Sequence, residues 1–114
     1  MKSYILLVED DHAVREFLVD LLSDAGYQVI GVQSLVEAHA TLSARRPSLV
    51  LLNQRLPDGE GTSLLPALHP DPPPVVVLSG QAAPATLPAE VVQWLQKPFD
   101  IQDLLAAVAT YYTP

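Results

Sequence analysis

The sequence predicts an α/β fold in which a parallel β-sheet is covered by helices on both faces. Strand-like and helix-like patterns alternate five times along the 114 residues. The strand-like runs, such as residues 4–8, are short and continuously apolar, which is typical of strands buried on both faces. The length suits one domain with a single core, so residues 1–114 are treated as one domain.

The first helix is predicted directly after the strand at residues 4–8. Asp11-His12 starts it, and Gly26 ends it because glycine readily adopts the left-handed conformation at helix ends. Apolar side chains at spacings of 3, 4 and 7 residues predict its inner face. They are Val14, Phe17, Leu18, Leu21 and Leu22.

The second strand is predicted at residues 28–32, and a second helix follows it. Ser34 and Glu37 have the spacing of a capping box at the start of that helix. The helix runs to about Arg45, and Pro47 stops it. A third strand at residues 48–52 and a short third helix over residues 62–68 complete the first half.

Prolines shape the second half of the chain. Residues 69–74 read His-Pro-Asp-Pro-Pro-Pro, which excludes a helix or a central strand and predicts a stiff loop before a fourth strand at 75–78. Two more prolines within residues 79–90 leave room for one helical turn at most, ahead of a fifth strand at 91–95. Asp100 is predicted to cap the last helix. The inner face of that helix comprises Ile101, Leu104, Leu105 and Val108.

Composition argues against several classes of function. The formal net charge is −7, from 13 acidic and 6 basic residues, so the chain lacks the basic footprint of a nucleic-acid-binding domain. It contains no cysteine, which excludes disulfides and thiolate metal sites. No apolar stretch approaches the roughly 18 residues of a membrane span, and the first residues carry no long apolar signal segment. A cytoplasmic protein is therefore expected.

Polar residues follow four of the predicted strands at the point where each strand ends. In open parallel sheets, ligands bind beyond the carboxyl ends of the strands. A dinucleotide fold would place a glycine-rich turn after the first strand, whereas here that turn is acidic and would repel a pyrophosphate. The candidate site residues are Glu9, Asp10 and Asp11 after the first strand, Asn53 after the third, Ser79 after the fourth and Lys97 after the fifth.

These residues and their order resemble the receiver domain of two-component response regulators over essentially the whole chain. The resemblance implies a flavodoxin-like, doubly wound, five-stranded parallel sheet with strand order 2-1-3-4-5. It also implies a signalling role without enzymatic activity, and a histidine kinase or another signalling protein as partner. The matching motifs are Leu7-Val8-Glu9-Asp10-Asp11, the stretch from Asn53 through Pro57 to Gly61, Val77-Leu78-Ser79-Gly80, and Lys97-Pro98-Phe99.

The resemblance also implies a site for a divalent cation, usually Mg²⁺. Glu9 and Asp10 match the acidic pair that helps to hold the ion, and Arg55 would add its backbone carbonyl. Oxygen ligands of this kind suit a hard cation. Taken without the family, Glu9, Asp10 and Asp11 could simply favour the helix dipole at a helix start.

Three further residues match the phosphoryl-contact and switch positions of the family. Ser79 matches the hydroxyl that hydrogen-bonds the phosphoryl group, and Lys97 matches the cation that pairs with the acceptor. Trp94 matches an aromatic residue that moves inward on activation, although we favour a packed, half-buried aromatic there. Lys97-Pro98 would be a cis peptide bond, which proline makes accessible.

The chain departs from the family at the phosphoryl acceptor. Pro57 and Gly61 fix the register and place Asn53 where the family has its phosphorylatable aspartate. A neutral amide is a very poor nucleophile. It also removes a negative charge from the cation site, so Mg²⁺ binding should be weakened. A second departure is the short segment between Ser79 and Lys97, which predicts a shortened or missing fourth helix.

Three hypotheses follow for function. The leading one is a pseudo-receiver, which acts by protein–protein contact without phosphorylation at position 53. The alternative is an ordinary phospho-receiver that carries an engineered aspartate-to-asparagine substitution. A minor alternative is a metal-dependent phosphohydrolase that would use Asp10 or Asp11, although no cap or substrate loop is evident. The apolar last helix and Tyr111-Tyr112 leave a homodimer open.

Overall fold

The structure is a computed structural model that describes residues 3–114. Within that range, no helix is long and apolar enough to cross a membrane. The elements follow one another as predicted, with an extra small hairpin after the third strand. They are β1 (Ile5–Val8), α1 (His12–Asp24), β2 (Val29–Val32), α2 (Leu35–Ala44), β3 (Leu49–Asn53), β4 (Arg55–Leu56), β5 (Gly59–Glu60), a 3₁₀ helix (Gly61–Leu68), β6 (Val75–Ser79), β7 (Val91–Gln96) and α3 (Ile101–Tyr111).

One five-stranded sheet organises the molecule, with all pairs parallel and the order β2-β1-β3-β6-β7. Counting only these strands along the chain gives the order 2-1-3-4-5, which confirms the predicted fold. The short β4 and β5 form a separate antiparallel pair beside the carboxyl end of β3. The sheet therefore gathers the ends of β1, β3, β6 and β7 at one edge.

Alternation along the central strands divides the core between the two faces of the sheet. In β1, Leu6 and Val8 belong to the cluster that includes residues of α2 and the 3₁₀ helix. Ile5 and Leu7 belong to the cluster that includes residues of α1 and α3. All four side chains are fully buried. Both faces are covered, as the continuous apolar runs predicted.

The first helix begins and ends as predicted, but its inner face is narrower. Asp11 accepts a hydrogen bond from the Val14 N–H at 3.1 Å, and Gly26 has a φ of 101° just beyond the helix end. The prediction that Val14 and Phe17 face the core is wrong, since they are 37% and 53% exposed. Leu18 and Leu22 carry the contact with the sheet, and Phe17 lies on the far flank of their stripe.

The start of α2 is capped from two directions. Ser34 accepts a bond from the Glu37 N–H at 3.2 Å, while Glu37 accepts one from Gln33 at 3.1 Å, one residue before the predicted return of the capping box. In addition, the Asp58 carboxylate accepts the N–H of Leu35 at 2.9 Å and of Val36 at 3.0 Å. Asp58 therefore fixes the β4–β5 turn against the helix.

The predicted third helix forms as a 3₁₀ helix. Pro66 lies within it and has no N–H to donate, which is incompatible with a continuous α-helical ladder. The Arg46 guanidinium donates to the carbonyls of Ala67 and Leu68 at its end. These contacts give the final carbonyls the partners that a short helix cannot supply itself.

The predicted loss of the fourth helix is confirmed. Residues 80–90, all of them within the described part of the chain, contain only turns, bends and irregular structure. Leu87 and Trp94 pack against the core on that side of the sheet. The last helix is capped by Asp100, which accepts the Gln102 N–H at 2.8 Å. Its inner-face residues Leu104 and Val108 are fully buried, whereas Ile101 and Leu105 are only partly buried.

Substitution of Asp58 by asparagine should lower stability in a pH-dependent way. The bond from the Leu35 N–H lowers the pKa of Asp58 below its ordinary value. The carboxylate therefore contributes stability above the pKa that it has in the unfolded chain, and this contribution is lost as the pH falls through the lower folded-state pKa. Thermal midpoints of the two proteins should differ at neutral pH and converge in acid.

The matched control for that measurement is Asp71→Asn, which makes the same charge change at an exposed position. Its thermal midpoint should follow that of the unmodified protein at every pH. If the Asp58→Asn and Asp71→Asn curves coincide, Asp58 does not cap α2.

Candidate functional site

The predicted site residues meet in one cleft at the carboxyl ends of the strands. Side chains of Glu9, Asn53, Ser79 and Lys97 line it, together with residues of the β4–β5 hairpin. The parallel sheet accounts for this arrangement, since the ends of β1, β3, β6 and β7 lie along the same edge. Trp94 lies outside the lining and reaches the cleft only through Gln81.

Glu9 is the buried charge of the site. Its side chain is only 1% exposed. Its Oε1 accepts a bond from Lys97 Nζ at 3.0 Å, and its Oε2 accepts from the Asp11 N–H and from Asn53 Nδ2, both at 3.2 Å. A buried carboxylate is tolerated when it is paired and hydrogen-bonded in this way.

Asn53 uses both ends of its amide, and it is 6% exposed. Its Oδ1 accepts from Lys97 Nζ at 2.9 Å. Its Nδ2 lies 2.8 Å from the Arg55 carbonyl, 3.0 Å from Asp10 Oδ1 and 3.2 Å from Glu9 Oε2. This network assigns the amide orientation, because the flipped amide would turn its NH₂ group toward the Lys97 ammonium.

The oxygens predicted to hold a cation surround this amide nitrogen. Glu9, Asp10 and the Arg55 carbonyl converge on Nδ2, which is a hydrogen-bond donor. Across residues 3–114, no three or more histidine, aspartate or glutamate side chains are grouped so that they could hold a metal ion. In this arrangement the residues fit a divalent cation poorly, because a hydrogen-bond donor stands where an anionic ligand is needed.

Gly61 holds the backbone of Asn53 in place. A Cβ atom at Gly61 would overlap the Asn53 carbonyl oxygen. The Gly61 N–H also donates to the Gln54 carbonyl at 2.8 Å. Only glycine allows this close approach of two backbone segments.

Ser79 and Trp94 are joined through the backbone of Gln81. The buried Ser79 hydroxyl accepts the Gln81 N–H at 3.1 Å, and Trp94 Nε1 donates to the Gln81 carbonyl at 3.0 Å. Trp94 is half-buried and packs against the core. Gln81 was missed by the sequence analysis, because its contribution is made by the backbone and leaves no side-chain signal.

Two acids near the cleft are used for helix caps. Asp11 caps α1 and Asp58 caps α2, as described above. The three histidines are exposed, and His69 pairs with Glu90 at 2.6 Å, neither of which lines the cleft. The two acids of the phosphohydrolase hypothesis each accept a hydrogen bond within the fold, Asp11 from the Val14 N–H and Asp10 from Asn53 Nδ2.

The family assignment comes from a sequence match that spans nearly the whole chain. Residues 5–109 match the response regulator receiver domain family. The chain belongs to this family. Receivers are signalling domains.

Several characterised relatives are larger regulators. The receiver is 35% identical over 107 residues to the KDP operon transcriptional regulatory protein KdpE of Escherichia coli (strain K12), covering 90% of this chain and 48% of that protein. It is 37% identical over 108 residues to response regulator MprA of Mycobacterium sp. (strain KMS), covering 90% of this chain and 47% of that protein. The chain therefore spans about half the length of these relatives.

Solved receiver structures share the fold. The receiver domain protein (CheY-like) of Methanospirillum hungatei JF-1 gives a TM-score of 0.87 at 28% identity, covering 96% of this chain and 93% of that chain. The receiver domain of an HD domain-containing protein from Pseudomonas fluorescens Pf-5 gives 0.86 at 28% identity, covering 97% and 94%. The loss of the helix between β6 and β7 leaves the overall fold intact.

Replacement of Lys97 by methionine should destabilise the receiver by about 2 kcal/mol, because it leaves the buried Glu9 carboxylate without its cation. The expected loss is smaller than for a fully buried pair, since the Lys97 side chain is 33% exposed. Urea unfolding measures it. In a double-mutant cycle, Lys97→Met should cost less when Glu9 is already glutamine; equal costs in both backgrounds would contradict the pairing.

Replacement of Gly61 by alanine should lower the free energy of unfolding by about 2 kcal/mol, because the added Cβ overlaps the Asn53 carbonyl. Gly80→Ala is the matched control, since a Cβ there meets nothing within 4 Å. Urea unfolding of both variants checks the prediction. Equal stability of the two would show that the Asn53 backbone yields without cost.

Proposed function

We propose that this receiver signals through protein–protein contacts and does not carry a phosphoryl group on residue 53. The observation that carries the proposal is the Asn53 side chain at the acceptor position, with its oxygen bonded to Lys97 and its nitrogen bonded to the surrounding acids. Such a protein is a pseudo-receiver, in which the fold and most of the pocket residues are kept but the phosphoryl acceptor is lost.

The chemistry of the amide supports this proposal. An aspartyl acceptor needs an ionised oxygen that can attack phosphorus. The Asn53 oxygen is neutral, and it already accepts a hydrogen bond from Lys97 at 2.9 Å. A phosphotransfer pocket positions the reacting groups and stabilises their charge. A pocket that keeps these features but lacks the nucleophile cannot carry out the reaction.

Weak Mg²⁺ binding is part of the same proposal. Glu9 and Asp10 keep the carboxylates that would contribute to a cation site, but Asn53 lacks the third negative charge. Replacing Asn53 by aspartate should strengthen binding of Mg²⁺, since carboxylate number is a main determinant of affinity for hard cations.

The partner is proposed to be a histidine kinase, another regulator or a second copy of this chain, in the cytoplasm. The fourth helix is usually part of the surface through which receivers signal. Residues 80–90 carry no helix here. The partner surface must therefore differ from the usual one on that side. The relatives are about twice as long, so an effector region acting with this receiver is also a proposal.

An engineered substitution is the alternative. It is favoured by the pocket around position 53, where Glu9, Asp10, Ser79 and Lys97 are all in place. The missing helix between β6 and β7 favours natural divergence. The encoding gene distinguishes the two: an aspartate codon at position 53 would establish the engineered phospho-receiver.

Intact mass after incubation with a small-molecule phosphodonor and Mg²⁺ tests the proposed function. The unmodified receiver should gain no phosphoryl group, whereas Asn53→Asp should gain one. A phosphoryl group on the unmodified protein would overturn the proposal and point to another acid, such as Asp10. If neither protein gains one, the pocket has lost more than its acceptor, and the binding role stands without the phosphotransfer scaffold.

A further inference from the structure

We infer that the Asn53 amide nitrogen replaces the divalent cation as the group that holds the acid pocket together, so that the pocket is organised without metal. The inference deepens the proposed function and rests on its placement of Asn53 at the acceptor position. It predicts a property that the phosphodonor experiment does not test. The stability of the folded receiver should be independent of Mg²⁺.

The geometry around Nδ2 is the first argument. Three oxygens from three separate residues lie 2.8–3.2 Å from this one nitrogen. An amide nitrogen carries two hydrogens, so it cannot direct a linear hydrogen bond to each of the three. The nitrogen is therefore surrounded by three oxygens, as a bound cation would be, and does not simply donate one hydrogen bond to each of two acceptors.

Charge is the second argument. Glu9 and Asp10 bring two carboxylates to the same nitrogen, and the partial positive charge of the NH₂ group reduces their repulsion. Lys97 adds a full positive charge on the other side, 3.0 Å from Glu9 Oε1. Two carboxylates and one ammonium leave a formal charge of −1, which the Asn53 dipole offsets in part, whereas an aspartate at position 53 would leave −2.

Lys97 also prevents the amide from turning to accept a metal. Rotation by half a turn would present the Asn53 oxygen to a cation beside Glu9 and Asp10. The same rotation would bring the NH₂ group within about 3 Å of the Lys97 ammonium, where two donors repel each other. The orientation that excludes the metal is therefore the one that Lys97 stabilises.

The test is the thermal midpoint as a function of MgCl₂ concentration at constant ionic strength, for the unmodified receiver, Asn53→Asp and Gln54→Glu. Gln54→Glu is the matched control, because it adds the same charge to the same cleft. Its carboxylate can still accept the Thr62 N–H, and the Thr62 hydroxyl, which now accepts from Gln54 Nε2, can rotate to donate to it.

The unmodified receiver and Gln54→Glu should shift by less than about 1 °C, whereas Asn53→Asp should rise by about 5 °C at a Mg²⁺ concentration tenfold above its dissociation constant. In EDTA, Asn53→Asp should melt below the unmodified protein, because three carboxylates then share the pocket. If this variant does not fold in EDTA but folds in Mg²⁺, the inference is supported in its strongest form.

Three results would overturn the inference. A rise of the unmodified receiver equal to that of Asn53→Asp would show that the amide yields to the metal. An equal rise of Gln54→Glu would show a general effect of charge, and no response of Asn53→Asp would show that these oxygens form no cation site. The proposed function is overturned only by a phosphoryl group on the unmodified receiver, which none of these results requires, so the inference and the proposed function can fail separately.

Discussion

The buried Glu9 carboxylate is the constraint on which the rest of this receiver pocket depends. It lies just beyond the end of β1, and its three donors come from the start of α1, from β3 and from the segment after β7. A charge with 1% exposure is stable only when its partners are present. Elements that are distant along the chain are thus held together at one point, and the sheet edge becomes a defined cleft.

Asn53 fits this constraint differently from an aspartate. An aspartate would add a third carboxylate beside Glu9 and Asp10, which the single charge of Lys97 would not balance. The amide avoids this third negative charge. Its nitrogen donates to Asp10, and its oxygen accepts from Lys97. The single atom that distinguishes the two side chains therefore changes both the reactivity of the pocket and its electrostatic balance.

Much of the fold could be predicted because its signals are local. Continuous apolar runs identified the buried strands, Ser34 and Asp100 identified helix starts, and the prolines excluded a helix between β6 and β7. Phe17 was wrongly assigned to the inner face of α1. Periodicity identifies an apolar stripe on a helix, but it does not show which side of that stripe contacts the sheet. The Asp58 cap on α2 was also missed, because Asp58 lies more than 20 positions along the chain from the Leu35 and Val36 N–H groups that it accepts.

The backbone around Asn53 has a consequence for the chemical lifetime of the amide. Asparagine deamidates when the following backbone nitrogen attacks the side-chain carbonyl and ammonia leaves, after which water opens the cyclic imide to aspartate or isoaspartate. Here the Gln54 N–H is held by the Leu78 carbonyl at 3.0 Å in the ladder between β3 and β6, and Asn53 itself is buried. Spontaneous deamidation is thereby resisted at the position that we propose to be equivalent to the phosphoryl acceptor.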